Sequence, residues 1–441
     1  MPNFKRTFIA ISAFAAAWGA AFAAAGDKAL LDMLVAKQTI SAEEASRVAK
    51  DTVAVSAKNP DTLNLQFWGM AQMQYDYMNT EINDVSETTD GFNLRRLFLG
   101  VKTDITKTFK GYFVVDFMRV NTNGADYILD AYLTKTVDYD LLTGSLHAGI
   151  KKVQFGLEEN ISCMKLSTVD TSIATRYFIY SQRWSSTRRA ESRLGFGQRY
   201  VGLFWDGKVR NVDGLRYYFS VTNSMNNTIN PDAHIGGKSS NPQADDSLNY
   251  WLTLDYTKKL GDYTARAGIK TGYGPGANII SNDKYGAVAA IDPYFEFKYK
   301  DDFTLWGEFI TADIQYGKEN GESRAAPMAY NIGAEYRFDI GNAGKLGVAT
   351  RFCQLFTDGR GVSIKDTVTY SKGATTDTSE QIAFDRAMTA YIGLNWYLDG
   401  DNLKIQLGYE WLRFEDPLHL PAYREQDATS HVVRLQIQAV F

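Results

Sequence analysis

Arginine is concentrated in one stretch of this sequence, between residues 176 and 199. Six arginines and no lysine occur there, against the single acid Glu191. The six are Arg176, Arg183, Arg188, Arg189, Arg193 and Arg199. A guanidinium group is planar, stays charged and can donate two parallel hydrogen bonds to a phosphate or a carboxylate. The composition indicates recognition of anions, although a solvated basic loop that faces the cell surface or binds lipopolysaccharide would have the same composition.

Residues that catalyse reactions or hold metals do not cluster in this way. The four histidines are His147, His234, His419 and His431, and they are scattered. No Ser/His/acid set and no cluster with metal-ligand spacing is evident, so we predict no catalytic residue, no metal site and no cofactor. A hydrolase is the alternative from the enzyme class, because such a site can assemble from distant strands.

The N-terminal 25 residues have the pattern of a secretory signal. Lys5 and Arg6 precede an apolar run that ends at Phe22, and small residues follow at positions 23–25. The run is too short for a spanning helix, which needs about 20 apolar residues. We predict cleavage before Gly26. Removing Lys5 and Arg6 changes the formal charge from -4 to -6, and this mildly acidic balance predicts no nucleic-acid partner.

The remaining chain has two regions that differ in the spacing of their apolar residues. Residues 26–60 have helical spacing, and Ser41 followed by Glu44 forms a capping box, so we predict a short helical periplasmic segment. From residue 61 to residue 441 the period changes to two. In the last twelve residues Leu435 and Ile437 alternate with Gln436 and other polar residues, and the chain ends on the aromatic Phe441. Such strands suit lipid on one face and water on the other.

The connections between these strands alternate between short turns and long loops. About sixteen strands are expected, with both ends of the strand region on the short-turn side, and the longest connection is the third long loop, at about residues 156–196. Aromatic residues make up 13% of the chain, as the interfacial girdles of a membrane barrel require. The pattern predicts an all-β fold, a transmembrane antiparallel β-barrel. Pro293 lies inside one strand, where we expect a bulge or irregular pairing.

Two cysteines are placed where they could meet. Cys163 lies in the third long loop, and Cys353 lies on the inward face of the thirteenth strand. Export through an oxidising periplasm would permit a disulfide between them. Two free thiols are the alternative, because sequence separation does not reveal whether the two cysteines approach within about 6 Å.

The order of several motifs resembles that of the phosphate-selective porins of the bacterial outer membrane. The motifs are ALLDMLVAKQTISAEEA (29–45), LRRLFLG (94–100), VDFMRVN (115–121), LDAYL (129–133) and HAGIKKVQFGLEE (147–159), with a closing HVVRLQIQAVF that many porins share. The resemblance implies a trimer of sixteen-stranded barrels, each with a third external loop that folds inward and narrows the pore.

The resemblance also implies that basic residues of the wall and third loop guide anions to the constriction. The residues predicted to line this pathway are Arg95, Arg96, Lys165, Arg176, Arg183, Arg188, Arg189 and Arg193. Arg95 and Arg96 match the family motif directly. In the family a lysine tends to follow the F-G-L-E segment, whereas here Glu158 is followed by Glu159, and Lys165 is the nearest cation.

We therefore predict an outer-membrane porin through which small hydrophilic solutes diffuse, with a preference for phosphate-like anions. Its expected partners are those anions, the lipid and lipopolysaccharide of the outer membrane, and further copies of the same chain. A general or cation-preferring porin is the alternative within the channel class, because inward positions also carry acids such as Asp116 and Glu308. A non-conducting structural or adhesin barrel, plugged by its loops, is the alternative outside it.

Overall fold

The computed structural model describes ten segments of the chain. They are residues 64–82, 85–119, 128–139, 142–179, 196–223, 248–280, 284–315, 324–363, 383–418 and 427–441. The predicted signal segment (1–25) and helical segment (26–60) lie outside them. The chain divides into two compact units, one of residues 1–66 and 102–107 and one of residues 67–101 and 108–441. In the described part of the first unit, the Asn64 side-chain amide donates to Asp104 Oδ2 at 3.3 Å.

Seventeen strands are assigned within the described segments. They are β1 (Asn64–Ile82), β2 (Val85–Asp104), β3 (Phe109–Asp116), β4 (Ile128–Asp138), β5 (Leu142–Lys152), β6 (Arg199–Val209), β7 (Leu215–Thr222), β8 (Asn249–Leu260), β9 (Tyr263–Ile280), β10 (Lys284–Tyr299), β11 (Phe303–Ile314), β12 (Met328–Asp339), β13 (Lys345–Phe356), β14 (Val362–Ser363), β15 (Ala383–Asp399), β16 (Leu403–Leu418) and β17 (Ala428–Val440).

These strands form one closed antiparallel sheet. β14 has two residues and pairs with β15, while β13 also pairs with β15 along its whole length, so sixteen long strands make up the wall. β1 pairs with β17 from Met70↔Val440 to Ile82↔Ala428 and closes the barrel. Closure pairs with each other the two strands that would otherwise be the edges of the sheet formed by the described residues. The predicted barrel of about sixteen strands is confirmed.

The faces of the strands follow the predicted alternation. Leu394, Leu407 and Leu435 lie side by side on β15, β16 and β17, and 48%, 46% and 38% of their surfaces are exposed on the outer face. Arg434 and Gln436 on the same last strand are buried toward the interior. Successive side chains of a strand point to opposite faces, so an apolar outer band and a polar interior arise together.

Pro293 interrupts the pairing on one side of its strand without causing a bulge. β10 pairs continuously with β9 at this point, where Pro293 lies opposite Ile269. On the other side, β10 pairs with β11 at Ile291 and again from Tyr294, in the same register. The expected bulge or irregular pairing is thus present as irregular pairing, because loss of one N–H donor does not by itself require an extra residue.

Helical structure in the described segments is short. It comprises α1 (Leu157–Asn160), α2 (Ile173–Phe178) and two 3₁₀ turns, Phe117–Arg119 and Gly341–Ala343. No helix within these segments is long and apolar enough to cross a membrane. At the start of α2, the Ser172 hydroxyl accepts a hydrogen bond from the Thr175 amide at 3.1 Å, which satisfies one of the otherwise unpaired amides of the first turn.

Both α-helices belong to the third long loop, whose described part we call the third-loop segment (residues 156–179). Its side chains Ile173, Phe178 and Ile179 are buried in one hydrophobic cluster with side chains of the wall, including Ile310 and Phe414. Burial of apolar surface contributes roughly 25 cal/mol per Å² to stability. The wall of β8–β17 and the third-loop segment therefore share an apolar core inside the barrel.

Candidate functional site

A cavity of about 350 Å³ lies between the third-loop segment and the inner faces of β1–β6. Five basic side chains and four acidic side chains line it. The basic ones are Arg95, Arg96, Lys152, Arg176 and Arg199, and the acidic ones are Asp116, Asp130, Glu158 and Glu159. A small charged solute in this cavity would therefore meet groups of both signs, with one more basic group than acidic groups.

Arg95 and Arg96 both line the cavity although they are neighbours on β2. Adjacent residues of a regular strand point to opposite faces, so this arrangement requires a local departure from the regular ladder. Next to the pair, the Leu97 amide donates to the side chain of Asp116 at 3.3 Å. Arg96 Nη1 donates to Gln72 Oε1 on β1 at 2.7 Å, and this bond holds its guanidinium group against the wall.

Asp170 of the third-loop segment lies between two of the lining arginines. Its carboxylate oxygens are 3.0 Å from Arg176 Nη2 and 3.6 Å from Arg95 Nη2. Burial raises the pKa of Asp170, but the nearby guanidinium groups of Arg176, Arg95, Arg434 and Arg96 outweigh burial and hold the pKa well below its usual value. The carboxylate therefore stays ionised and compensates part of the positive charge beside it.

Two further ion pairs line the cavity. Arg199 donates from Nε and Nη2 to the two carboxylate oxygens of Asp130, at 3.1 and 3.2 Å. A register shift in the pairing of β3 with β4 leaves Leu129 without a partner, and Leu129 and Asp130 both line the cavity as a result. Lys152 Nζ is 2.5 Å from Glu159 Oε1. Paired charges of this kind fix the shape of the cavity and lower its net field.

The third-loop segment is attached to the opposite wall by buried charges. Arg351 on β13 donates to Glu158 Oε1 at 2.8 Å and to the Asp170 carbonyl at 2.7 Å from Nη1, and to Glu410 Oε1 at 2.7 Å from Nη2. The side chains of Arg351 and Glu158 are fully buried. Arg434 on β17 donates to the second oxygen of Glu410 at 3.2 Å. A single connected network thus links the loop to three strands.

Lysines and carboxylates of the wall also bond to the backbone of the loop. Lys270 Nζ donates to the Gly156 carbonyl at 2.7 Å, and Lys404 Nζ donates to the Leu166 carbonyl at 2.9 Å. Glu308 accepts from the Leu157 amide at 2.6 Å. These contacts hold the loop against β9, β11 and β16, so the cavity is confined to the side of β1–β6.

The structure brings together some of the residues predicted to line the anion pathway. Arg95, Arg96 and Arg176 line one cavity. Lys165 is exposed and is not among the lining residues. The remaining predicted residues lie outside the described segments: Arg183, Arg188, Arg189 and Arg193.

Sequence reasoning missed the residues that hold the loop in place. Arg351 is two positions from Cys353, which was placed on the inward face, so the strand period already indicated an inward arginine. Glu158 and Asp170 carried no comparable signal, because their roles depend on where the loop lies. Cys163 and Cys353 are both free thiols and lie in different hydrophobic clusters, so the disulfide considered between them is not formed in this structure.

One segment of the chain matches the model of a known protein family. Residues 69–210 match the family model of phosphate-selective porin O and P. This segment contains β2–β6, the third-loop segment and the cavity-lining arginines described above. The match, together with the closed barrel, confirms the porin resemblance and the predicted outer-membrane location, and it indicates a channel rather than an enzyme. No curated protein sequence matches the chain.

Solved structures of outer-membrane proteins share the fold. The anion-selective porin from Comamonas acidovorans is similar over 86% of this chain and 100% of its own, with 12% sequence identity and a TM-score of 0.54. The outer membrane channel DcaP of Acinetobacter baumannii is similar over 86% of this chain and 98% of its own, with 14% identity and a TM-score of 0.51. At such identities the similarity establishes the barrel architecture.

Proposed function

We propose that this chain is an outer-membrane porin for the passive diffusion of small hydrophilic solutes, with a preference for phosphate-like anions. The observation that carries the proposal is the convergence of Arg95, Arg96 and Arg176 on one cavity inside a closed barrel. Guanidinium groups in a narrow polar passage favour anions by charge, and they match phosphate oxygens geometrically. The family match over residues 69–210 supports the same assignment.

We propose that Arg96 contributes to selectivity, because it lines the cavity and its guanidinium group donates to Gln72 Oε1 of the wall. Arg95 and Arg176 lie beside the Asp170 carboxylate and line the same cavity. Arg183, Arg188, Arg189 and Arg193 are proposed to add positive charge along the same route.

The test is the zero-current potential of the purified protein in a planar bilayer across a tenfold KCl gradient, with phosphate then added. Anion selectivity with block of the chloride current by phosphate is the expected result. Arg96→Gln should shift the zero-current potential toward cations, and Arg210→Gln is the control, because its exposed pair with Asp138 does not line the cavity. Equal potentials for the wild type and Arg96→Gln would refute the assigned role.

A general or cation-preferring porin is the second candidate, and the ion pairs in the cavity favour it. Asp170, Asp130 and Glu159 each lie within 3.6 Å of a lining basic group and compensate its charge. In that case the zero-current potential across the KCl gradient is near zero or has the sign of a cation-selective pore, and phosphate does not block the chloride current. A protein that gives no current in any salt would instead be a structural or adhesin barrel.

We further propose that the protein works as a homotrimer after removal of residues 1–25, with residues 26–60 on the periplasmic side. The resemblance to the porin family supports the trimer, and the residue pattern supports the signal. Electrophoresis in mild detergent should show a species of three chains that collapses on boiling, and mass spectrometry of the mature protein should place its first residue at Gly26. A monomer in every mild detergent would contradict the trimer.

A further inference from the structure

One side of the cavity is apolar, which is unusual for the interior of a porin barrel. Inward-facing Phe98, Val114 and Leu129 of β2, β3 and β4 form a hydrophobic cluster, and Trp68, Tyr112 and Met164 pack against it. All six side chains line the cavity. We call them the apolar wall. The lumen of a water-filled barrel is normally polar, because apolar side chains there would face water.

The apolar wall has a buried base and a partly exposed surface. Phe98, Val114 and Leu129 are almost completely buried. Trp68, Tyr112 and Met164 also line the cavity, and they are half-buried and retain exposed surface. The base thus supports an apolar surface that a solute can touch.

Close packing holds the aromatic part of this surface in place. A Cβ atom at Gly100 would lie 2.1 Å from the Trp68 indole, so only glycine at this position lets the indole lie against β2. Tyr112 packs against Tyr132, with 5.2 Å between ring centroids. Side chains whose rotamers are already fixed lose little entropy when a solute binds, so the surface is preorganised.

Cations and the apolar wall line the same space. Arg95, Arg96 and Arg176 line the cavity together with Trp68 and Met164. The cavity volume of about 350 Å³ lies at the lower end of the range of small-molecule sites, roughly 300–1,000 Å³. An inorganic anion would use only the arginines, whereas an anion with an apolar body would also remove apolar surface from water.

We propose that the cavity is a binding site for amphipathic organic anions, in which an acidic group contacts the arginines and an aryl or alkyl body contacts the apolar wall. This assignment rests on the proposed porin function and narrows its substrate class from phosphate-like anions in general to organic acids. The solute passes the site by diffusion and remains chemically unchanged.

The experiment compares two permanently ionised anions of the same charge, benzenesulfonate and methanesulfonate. Their permeability ratio is obtained from zero-current potentials of the full-length protein in bilayers with the potassium salts of the two anions. Benzenesulfonate is larger and diffuses more slowly in water, so a plain aqueous pore gives a ratio below one. We expect a ratio above one.

Polar replacements in the apolar wall test the assignment. Met164→Gln and Tyr112→Gln should each lower the ratio about fivefold, which corresponds to about 1 kcal/mol at 1.4 kcal/mol per tenfold and to roughly 40 Å² of apolar contact. The heat-modified gel mobility should be unchanged, which shows that the barrel is folded. Met118→Gln makes the same chemical change at an exposed methionine that does not line the cavity, and it should leave the ratio unchanged.

The outcomes separate this inference from the proposed function. The amphipathic site is overturned if the protein is anion-selective in KCl but its benzenesulfonate-to-methanesulfonate permeability ratio is below one and does not change in Met164→Gln and Tyr112→Gln. The anion-preferring porin then remains. Cation selectivity in KCl, or no current, overturns both. An equal fall in the ratio in Met118→Gln also overturns the site, because the effect is then not specific to the cavity.

Discussion

Replacing Arg351 by methionine should weaken the attachment of the third-loop segment more than any exposed arginine substitution. Methionine has nearly the same length and flexibility but no charge and no donors. The substitution removes the hydrogen bonds at 2.7–2.8 Å to Glu158, the Asp170 carbonyl and Glu410. Two buried carboxylates then lose a cation at once.

The magnitude follows from what those carboxylates retain. Breaking one buried ion pair by removal of a partner costs about 3–5 kcal/mol. Glu410 keeps its contact with Arg434 at 3.2 Å, and Glu158 keeps the Ser172 amide at 2.8 Å and the Thr175 hydroxyl at 2.7 Å. We therefore expect the lower end, a loss of about 3 kcal/mol in the free energy of unfolding.

The loss should be visible in two assays. Equilibrium urea unfolding of the protein in lipid vesicles gives the free energy, and single-channel recording shows whether a loosened loop makes the current larger or noisier. Arg386→Met is the matched control, because Arg386 pairs with Asp416 at the surface, where 41% and 54% of the two side chains are exposed, and such a pair contributes about 0–1 kcal/mol. If both variants lose the same small amount and conduct like the wild type, the network does not hold the loop.

Three further outcomes are expected. Because the pKa of Asp170 is lowered, its carboxylate stabilises the loop at pH values above about 3.9, the usual pKa of an aspartate. This stability is lost as the pH falls through the lowered pKa. The difference in unfolding free energy between the wild type and Asp170→Asn should therefore be constant from about pH 7 to about pH 5, and its loss within that window would contradict the assignment. Leu407→Lys, on the outer face of β16, should destabilise the barrel in lipid by about 2–4 kcal/mol, whereas Leu403→Lys at the end of the same strand should destabilise it by only about 0–1 kcal/mol. Equal destabilisation by the two variants would mean that this face does not meet lipid. A negatively charged methanethiosulfonate reagent should reduce the current by reacting with Cys163, which lines the cavity, and not with the buried Cys353; an unchanged current after complete labelling of Cys163 would show that the cavity is not on the conducting path.

Much of the barrel could be predicted because its signals are local. The alternation that put Leu435 outside and Arg434 inside is a property of any extended strand with lipid on one face. The number of strands followed from the same period and from the alternation of short and long connections. At Pro293 the sequence predicted a bulge or irregular pairing without distinguishing between them, because the response of the neighbouring strand to a missing donor is not contained in the strand's own sequence.

The cavity was predicted only in part. The charge of Arg95, Arg96 and Arg176 was evident from the sequence, but their convergence was not, since neighbouring residues of a regular strand point to opposite faces. The apolar wall was not expected either. Its inward aromatic residues follow the same alternation as outward ones, and only the closed barrel shows which space they share with the arginines.

The sequence by itself determined the strand period, the sorting of polar and apolar faces, and the positive character of the third loop, because each depends on residues close together in the chain. The tertiary structure alone decided which charges meet. Arg351 and Glu158 are 193 positions apart, and Gln72 and Gln438 are 366 positions apart. Contacts over such separations exist only after the barrel has closed and the loop lies against its wall, since closure fixes which inward side chains face one another.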